Sequence, residues 1–198
     1  MLVSDKRIAI VGSADGWQLH RKFRFTHKIW CCFSTIRLIQ SRIDIAFGGD
    51  PLELMQKFKT SIERHRLLTM TISVEEINKR KIPVFLPRTY HNIPTSMKYP
   101  LREIVAKFGI TYFSNTICYM IAYALYKGVK SIDFFGVRMA YGSEYTNEKA
   151  GLEFWIGYAM GKGVKIKVHG ESALLKTKTG RLYGYGCNEQ LNDGIIEV

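Results

Sequence analysis

Small, polar and charged residues recur in this chain at places where an anion can be held or a proton moved. They are Gly12-Ser13-Ala14-Asp15-Gly16, Gly48-Gly49-Asp50, Ser114-Asn115-Thr116, Arg138, Glu144 and His169. Gly12 and Ser13, with Asp15, directly follow a short β-branched run, which is how a phosphate-cradling first loop begins. The glycines stand four apart, which is neither the dinucleotide fingerprint nor a P-loop, so any tight strand-to-helix turn presents the same letters. Asn115 and Thr116 head an apolar helical pattern, where free N–H groups and the positive dipole end favour an anion. Arg138 can pair bidentately with phosphate or carboxylate. Glu144 and His169 are the candidate general bases. Each has a plainer alternative: Arg138 pairs with Glu144 or Asp133, Glu144 caps the helix that begins near Asn147, and His169 leads a surface turn. No nucleophile–base pair and no metal-ligand spacing stands out, because the histidines are scattered and Cys31, Cys32, Cys118 and Cys187 are not spaced as ligands. No metal is predicted and the cofactor is left open.

These residues need elements to bring them together, and the hydrophobic pattern supplies them. Short apolar runs at 7–11, 28–33, 43–47, 82–86, 131–135 and 164–168 read as buried strands. Between them lie helical patterns. Asp50 and Pro51 start one with a stripe at Leu52, Met55, Phe58 and Ile62, and a separate short helix is expected over 74–81. Another is expected over 101–108. The clearest carries Ile117, Met120, Ile121, Ala124 and Leu125 on one face, with a cap among residues 114–116 and Gly128 as a left-handed stop. A further one spans about 147–160 on Leu152, Trp155, Ile156, Ala159 and Met160. Residues 87–100 read as one long loop containing His91. Strand and helix alternate, so the expected fold is α/β: a Rossmann-like, doubly wound, mostly parallel sheet with helices on both faces. In such sheets ligands bind beyond the carboxyl ends of the strands. The residues named above fall at those ends.

The composition is that of a globular chain: 198 residues, 46% hydrophobic and 23% charged. One α/β domain over residues 1–175 and a hairpin or extended arm over 176–198 account for the length. The 29 Lys and Arg against 17 Asp and Glu leave a net charge of +12, which favours an anionic partner such as a nucleotide, a nucleotide-sugar or nucleic acid. Residues 17–25 interleave rings and cations, a nucleic-acid pattern that more often marks a surface segment with its rings turned inward. Unpaired thiols fit a cytoplasmic protein. No apolar run is long enough to span a bilayer and the first residues lack a signal-peptide layout. No membrane partner is expected, and the oligomeric state is open.

Two longer stretches carry a resemblance. Residues 94–103 with Ser114-Asn115-Thr116, and Phe135-Gly136-Val137-Arg138-Met139-Ala140 with Glu144-Tyr145, the 151–163 helix, Leu174-Leu175-Lys176 and Leu182-Tyr183-Gly184-Tyr185, resemble a family of uncharacterised phage-encoded proteins. More distantly, the Ile-Val-Gly-Ser loop, the Ser/Thr-headed helix and the Gly-Val-x-Met turn look like Rossmann-like sialyltransferases and pterin-pyrophosphokinase-like proteins. That resemblance implies a nucleotide-type donor bound by Gly12, Ser13, Asn115 and Thr116, and glycosyl or nucleotidyl transfer. The chain departs from it in two places: Arg138 stands where the resemblance has Asp, and Gly48-Gly49-Asp50 replaces a His-containing pattern. The alternative is a non-catalytic phage protein that uses its basic surface for nucleic acid or for virion assembly.

Overall fold

The computed structural model describes residues 5–52, 61–140 and 146–177, those of 61–70 by backbone alone. Its strands are β1 (Arg7–Val11), β2 (Lys28–Cys32), β3 (Ile45–Phe47), β4 (Val84–Leu86), β5 (Ser96–Lys98), β6 (Ser131–Phe135) and β7 (Lys165–His169). They form one seven-stranded sheet in the order β5-β4-β3-β2-β1-β6-β7, and every pair is parallel. β1 is central. The chain winds outward from it to β5, then returns across the sheet to place β6 on its other side. The expected doubly wound α/β fold is the observed one.

Alternate residues of the strands feed two cores, because successive side chains leave opposite faces. Ile8, Ile10, Trp30, Phe47, Phe85, Ile132 and Phe134 face one side. There they pack against α2 (Leu101–Phe108), α3 (Thr116–Tyr126) and α4 (Thr146–Gly161). Ala9, Val11, Ile29, Cys31, Ala46, Val84, Leu86 and Phe135 face the other side. That side is covered by α1 (Ser61–Arg80) and by 3-10 helices at Trp17–Phe23 and Phe33–Leu38. Ile77 of α1 is fully buried there.

Helix faces follow the periodicity closely. In α3, Ile117, Met120, Ile121 and Ala124 are buried and Leu125 is partly so. In α4, Leu152, Trp155, Ile156 and Ala159 are fully buried, but Met160 turns outward. Gly128 ends α3 with φ +69°, as a left-handed stop requires.

Three local expectations are corrected. The separate helix at 74–81 does not exist: α1 runs unbroken from Ser61 to Arg80, and no Gly or Pro interrupts residues 61–80. Residues 87–100 are not one loop, because β5 adds a polar edge strand whose Ser-Met-Lys letters carry no strand signal. Phe33 leaves the second strand and opens a 3-10 turn. The expected helix over Met55 and Phe58 falls mostly on residues outside those described. So does the 176–198 arm beyond residue 177. Among the described residues, no helix is long and apolar enough to cross a membrane.

Candidate functional site

The return crossover places the carboxyl ends of β1 and β6 side by side, the switch point at which doubly wound sheets open a crevice. The two loops meet with almost no room. Gly12 N–H donates to Phe135 O at 2.8 Å and Ala14 N–H donates to Gly136 O at 3.0 Å. A Cβ on Gly12 would stand 2.5 Å from Gly136 O, and one on Gly136, itself at φ +63°, would stand 2.6 Å from Ala14 O. Both positions therefore require glycine, for close backbone approach at the first and for a left-handed conformation as well at the second.

Above this crossing lies a cleft of about 400 Å³, within the range of small-molecule sites. Gly12, Ser13 and Ala14 form one lip, and Gly136, Val137, Arg138 and Met139 form the other. Cys32 at the end of β2 and Ser34 in the 3-10 turn that follows close it, and Asn115, Thr116 and Ile117 bring in the first turn of α3. Of the expected ligand-binding residues, Gly12, Ser13, Asn115, Thr116 and Arg138 converge here. Asp15 is exposed in the turn beyond and does not line the cleft.

Asn115 is the N-cap of α3. Its Oδ1 accepts from Cys118 N–H at 3.0 Å, which fixes the amide's orientation and leaves Nδ2 as the free end. That Nδ2 is buried and has no hydrogen-bond partner among the described residues. Ser114, another of the three cap candidates, is used elsewhere: its hydroxyl donates to Glu148 O at 2.8 Å and ties α3 to α4. A Cβ on Gly151 would stand 2.3 Å from the Ser114 Oγ, so that contact admits only glycine.

The charges are less symmetrical than the sequence suggests. Arg138 is exposed at the cleft mouth and faces Glu171 at 3.7 Å, not Asp133. Both groups of that pair are largely solvated, so its net stabilisation is small. Glu148, in the first turn of α4, brings a carboxylate into the cleft that sequence reasoning missed. Its only sequence signal is an acid at a helix start, which usually serves the dipole. Burial, reinforced by the Glu148 charge, pushes the Cys32 thiol up to about 12. Cys32 is therefore a protonated wall of the cleft, not a nucleophile.

Of the two candidate bases, Glu144 lies outside the described residues. His169 sits at the end of β7, but its ring lies flat on Phe135, 4.5 Å away at 8°. Its Nε2 bonds Asp133 Oδ1 at 2.7 Å, and it does not line the cleft. His27 Nε2 reaches the other oxygen of the same carboxylate at 3.0 Å, and Phe23 packs on both imidazoles. Burial pushes the Asp133 carboxyl up, but the hydrogen bonds and charge of His27 and His169 outweigh it and hold the group below its ordinary range. This His–Asp–His cluster joins the residue before β2 to β6 and β7 across a distance in sequence that no local pattern reveals. His91 is exposed on the β4–β5 connection and does not line the cleft. Among the described residues, no three His, Cys, Asp or Glu side chains are placed to hold a metal ion.

No family model matches the chain, and no curated protein matches it in sequence. Among solved structures it is similar to the sialyltransferase CstII from Campylobacter jejuni, determined in complex with a substrate analogue, CMP-3FNeuAc. The two share 14% identity over 82% of this chain and 80% of that one, with a TM-score of 0.49. The chain is a doubly wound, all-parallel α/β protein with a cleft at its β1/β6 switch point.

Proposed function

We propose that the cleft binds the phosphate end of a nucleotide or nucleotide-sugar, and that the protein is a nucleotide-dependent transferase. The observation that carries this reading is the Asn115 Nδ2. A buried donor without an acceptor costs about 1–3 kcal/mol, and this one sits at the head of an 11-residue helix beside a glycine-lined loop. An anionic oxygen placed there accepts from Nδ2 and meets the free N–H groups of the first turn of α3. Ser13 and Arg138, on opposite lips, supply a hydroxyl and a cation for the remaining oxygens. Transfer requires that negative charge build on the leaving phosphate, and donors fixed before the reaction stabilise that charge without reorganising. Glu148, which lines the cleft, is the acid assigned to the acceptor hydroxyl.

The test is a thermal-shift and calorimetric panel of nucleoside mono- and diphosphates, nucleotide-sugars and inorganic phosphate. Saturable stabilisation by a nucleotide, abolished by Ser13→Arg, supports the reading. The second reading, a non-catalytic phage protein that binds nucleic acid or serves in virion assembly, rests on the net charge of +12. Salt-sensitive DNA or RNA binding with no response to any nucleotide would favour it and sink the first.

A further inference from the structure

The cleft lies at the carboxyl edge of the sheet, and cations gather at the opposite, amino edge. Lys130 N–H donates to Lys6 O at 2.8 Å, and Lys165 N–H donates to Lys130 O at 2.9 Å. These lysines therefore stand side by side at the entries to β1, β6 and β7, which are neighbours in the sheet. Arg7 opens β1 and Lys127 follows the last residue of α3. All five side chains are exposed. Among the described residues, Arg7, Lys127, Lys130 and Lys165 form no ion pair with an acid. Asp5, before β1, and Asp44, before β3, pair instead with Lys28 and Arg42 toward β2. The same edge carries a ring. The turn leading into β2 is fixed by Thr26 and His27 N–H donating to Phe23 O, and by Arg42 Nη2 donating to Arg24 O and His27 O. It presents Phe25, at 67% the most exposed large apolar side chain among the described residues, with the Arg24 guanidinium 4.5 Å from its ring centre. Strands stand about 4.8 Å apart, so β2 lies only about 14 Å from β7. Ring and cations share one surface. The α3 dipole accounts for Lys127, but not for Arg7, Lys130 or Lys165, and an apolar ring left in water gains nothing from folding.

We propose that this amino edge is a docking surface for single-stranded nucleic acid. A row of cations meets successive phosphates of one strand and supplies sequence-independent affinity. An exposed ring backed by a guanidinium stacks on a base, whichever base it is. A duplex keeps its bases stacked on one another and offers Phe25 no face. An anionic membrane matches the charge, but one ring among cations gives little apolar surface to insert. The 17–25 segment thus divides in two. His20 is buried, and Trp17 and Phe23 pack on the core, while Arg24 and Phe25 face outward to the strand. The proposal shares its partner class with the second reading above, but it leaves the cleft to its own ligand, because the two surfaces occupy opposite edges of the sheet.

The probe is a fluorescein-labelled oligothymidylate of about 20 nucleotides, longer than one such site needs, titrated with the full chain by fluorescence anisotropy. Saturable binding is expected, tighter than for the same strand paired with oligoadenylate. The logarithm of the binding constant should fall against the logarithm of salt concentration with a slope of about −2 to −3, from roughly four cations at about 0.7 each. Lys130→Gln/Lys165→Gln should flatten that slope by about 1.4. Phe25→Ala should weaken the single strand by about 5- to 150-fold and leave the slope unchanged. Both variants alter exposed side chains only, and thermal melting checks that each folds as the parent does. No binding, a duplex held as tightly as the single strand, a slope untouched by the double variant, or an affinity untouched by Phe25→Ala overturns the proposal. So does Phe25-dependent binding to phosphatidylcholine–phosphatidylserine vesicles in preference to the oligonucleotide. A nucleoside diphosphate, added at constant ionic strength, should not displace the strand; displacement would put the strand in the cleft and overturn the separate surface. Strand binding without any thermal response to nucleotides removes the transferase reading and leaves this surface standing.

Discussion

Replacing Asn115 by Asp separates the two jobs of that residue. The cap bond needs only an oxygen, and the Asp carboxylate supplies one to Cys118 N–H as Asn115 Oδ1 does at 3.0 Å. The buried Nδ2, which has no partner among the described residues, becomes a second anionic oxygen. In the free protein the helix dipole returns about 0.3–1 kcal/mol to a carboxylate at the N-terminus, which at most offsets the cost of burying a charged oxygen where a neutral amide stood. The melting temperature of the free protein should therefore stay level or fall, by about 2–4 °C for each kcal/mol left uncompensated. Ligand binding should collapse. Losing a hydrogen bond to a charged oxygen costs about 1.5–3 kcal/mol, or roughly 10- to 150-fold in Kd, before repulsion is added. With nucleotide at a hundredfold excess over its Kd, the parent gains about 2.7 kcal/mol, or about 5–10 °C. The same concentration should stabilise Asn115→Asp by only about 0.3–1.4 kcal/mol, or roughly 1–6 °C. Asn115→Ala is the control: it loses the cap as well and should be destabilised by about 1 kcal/mol. Differential scanning calorimetry with and without nucleotide reads all three proteins. If Asn115→Asp binds as tightly as the parent, the Nδ2 is not the ligand donor and the site argument is wrong.

Gly12→Ala should destabilise the fold by about 1–3 kcal/mol in urea titrations, because its Cβ would meet backbone, Gly136 O at 2.5 Å, which has no flexible end to yield. An unchanged midpoint would show that the β1 and β6 loops can part freely. Asp133 has a folded pKa below its unfolded value, so its contribution is present above the ordinary carboxyl range and is lost as pH falls through the depressed folded value. Asp133→Asn should therefore cost about 3 kcal/mol at neutral pH and flatten the loss of stability below about pH 4; parallel acid slopes for the two proteins would refute the pairing. Cys32 lines the cleft but should resist iodoacetamide at pH 8, since a thiol near 12 is ionised to only about one part in ten thousand. Rapid alkylation of Cys32, located by peptide mass spectrometry, would contradict its assigned environment.

Much of the fold was legible because its cause is local. Ile8 to Val11, Ile132 to Phe135 and the helix-spaced apolar residues of α3 and α4 declare buried strands and one-sided helices wherever they are placed. Alternation of the two implies a parallel sheet, and Gly128 and Asn115 mark the ends of α3 by backbone chemistry alone. The assembly of the cleft was legible for a related reason: in a parallel sheet all carboxyl ends lie on one edge, so Gly12, Ser13, Asn115, Thr116 and Arg138 had to be near one another. Other features depend on which distant residues meet. β5 is a strand only because Val84 to Leu86 offers an edge to Ser96 to Lys98. His169 reads as a candidate base until the β6–β7 register sets it against Phe135 and Asp133. Arg138 faces Glu171, Glu148 enters the cleft and Tyr99 turns toward Tyr119 through packing between helices and loops remote in sequence. Letters and spacing determine which side chains can do chemistry and which edge they reach. Tertiary structure alone decides which of them are occupied by a neighbour, because a hydrogen bond or a stacked ring depends on positions to within an ångström, while hydrophobic periodicity records only the side a residue faces.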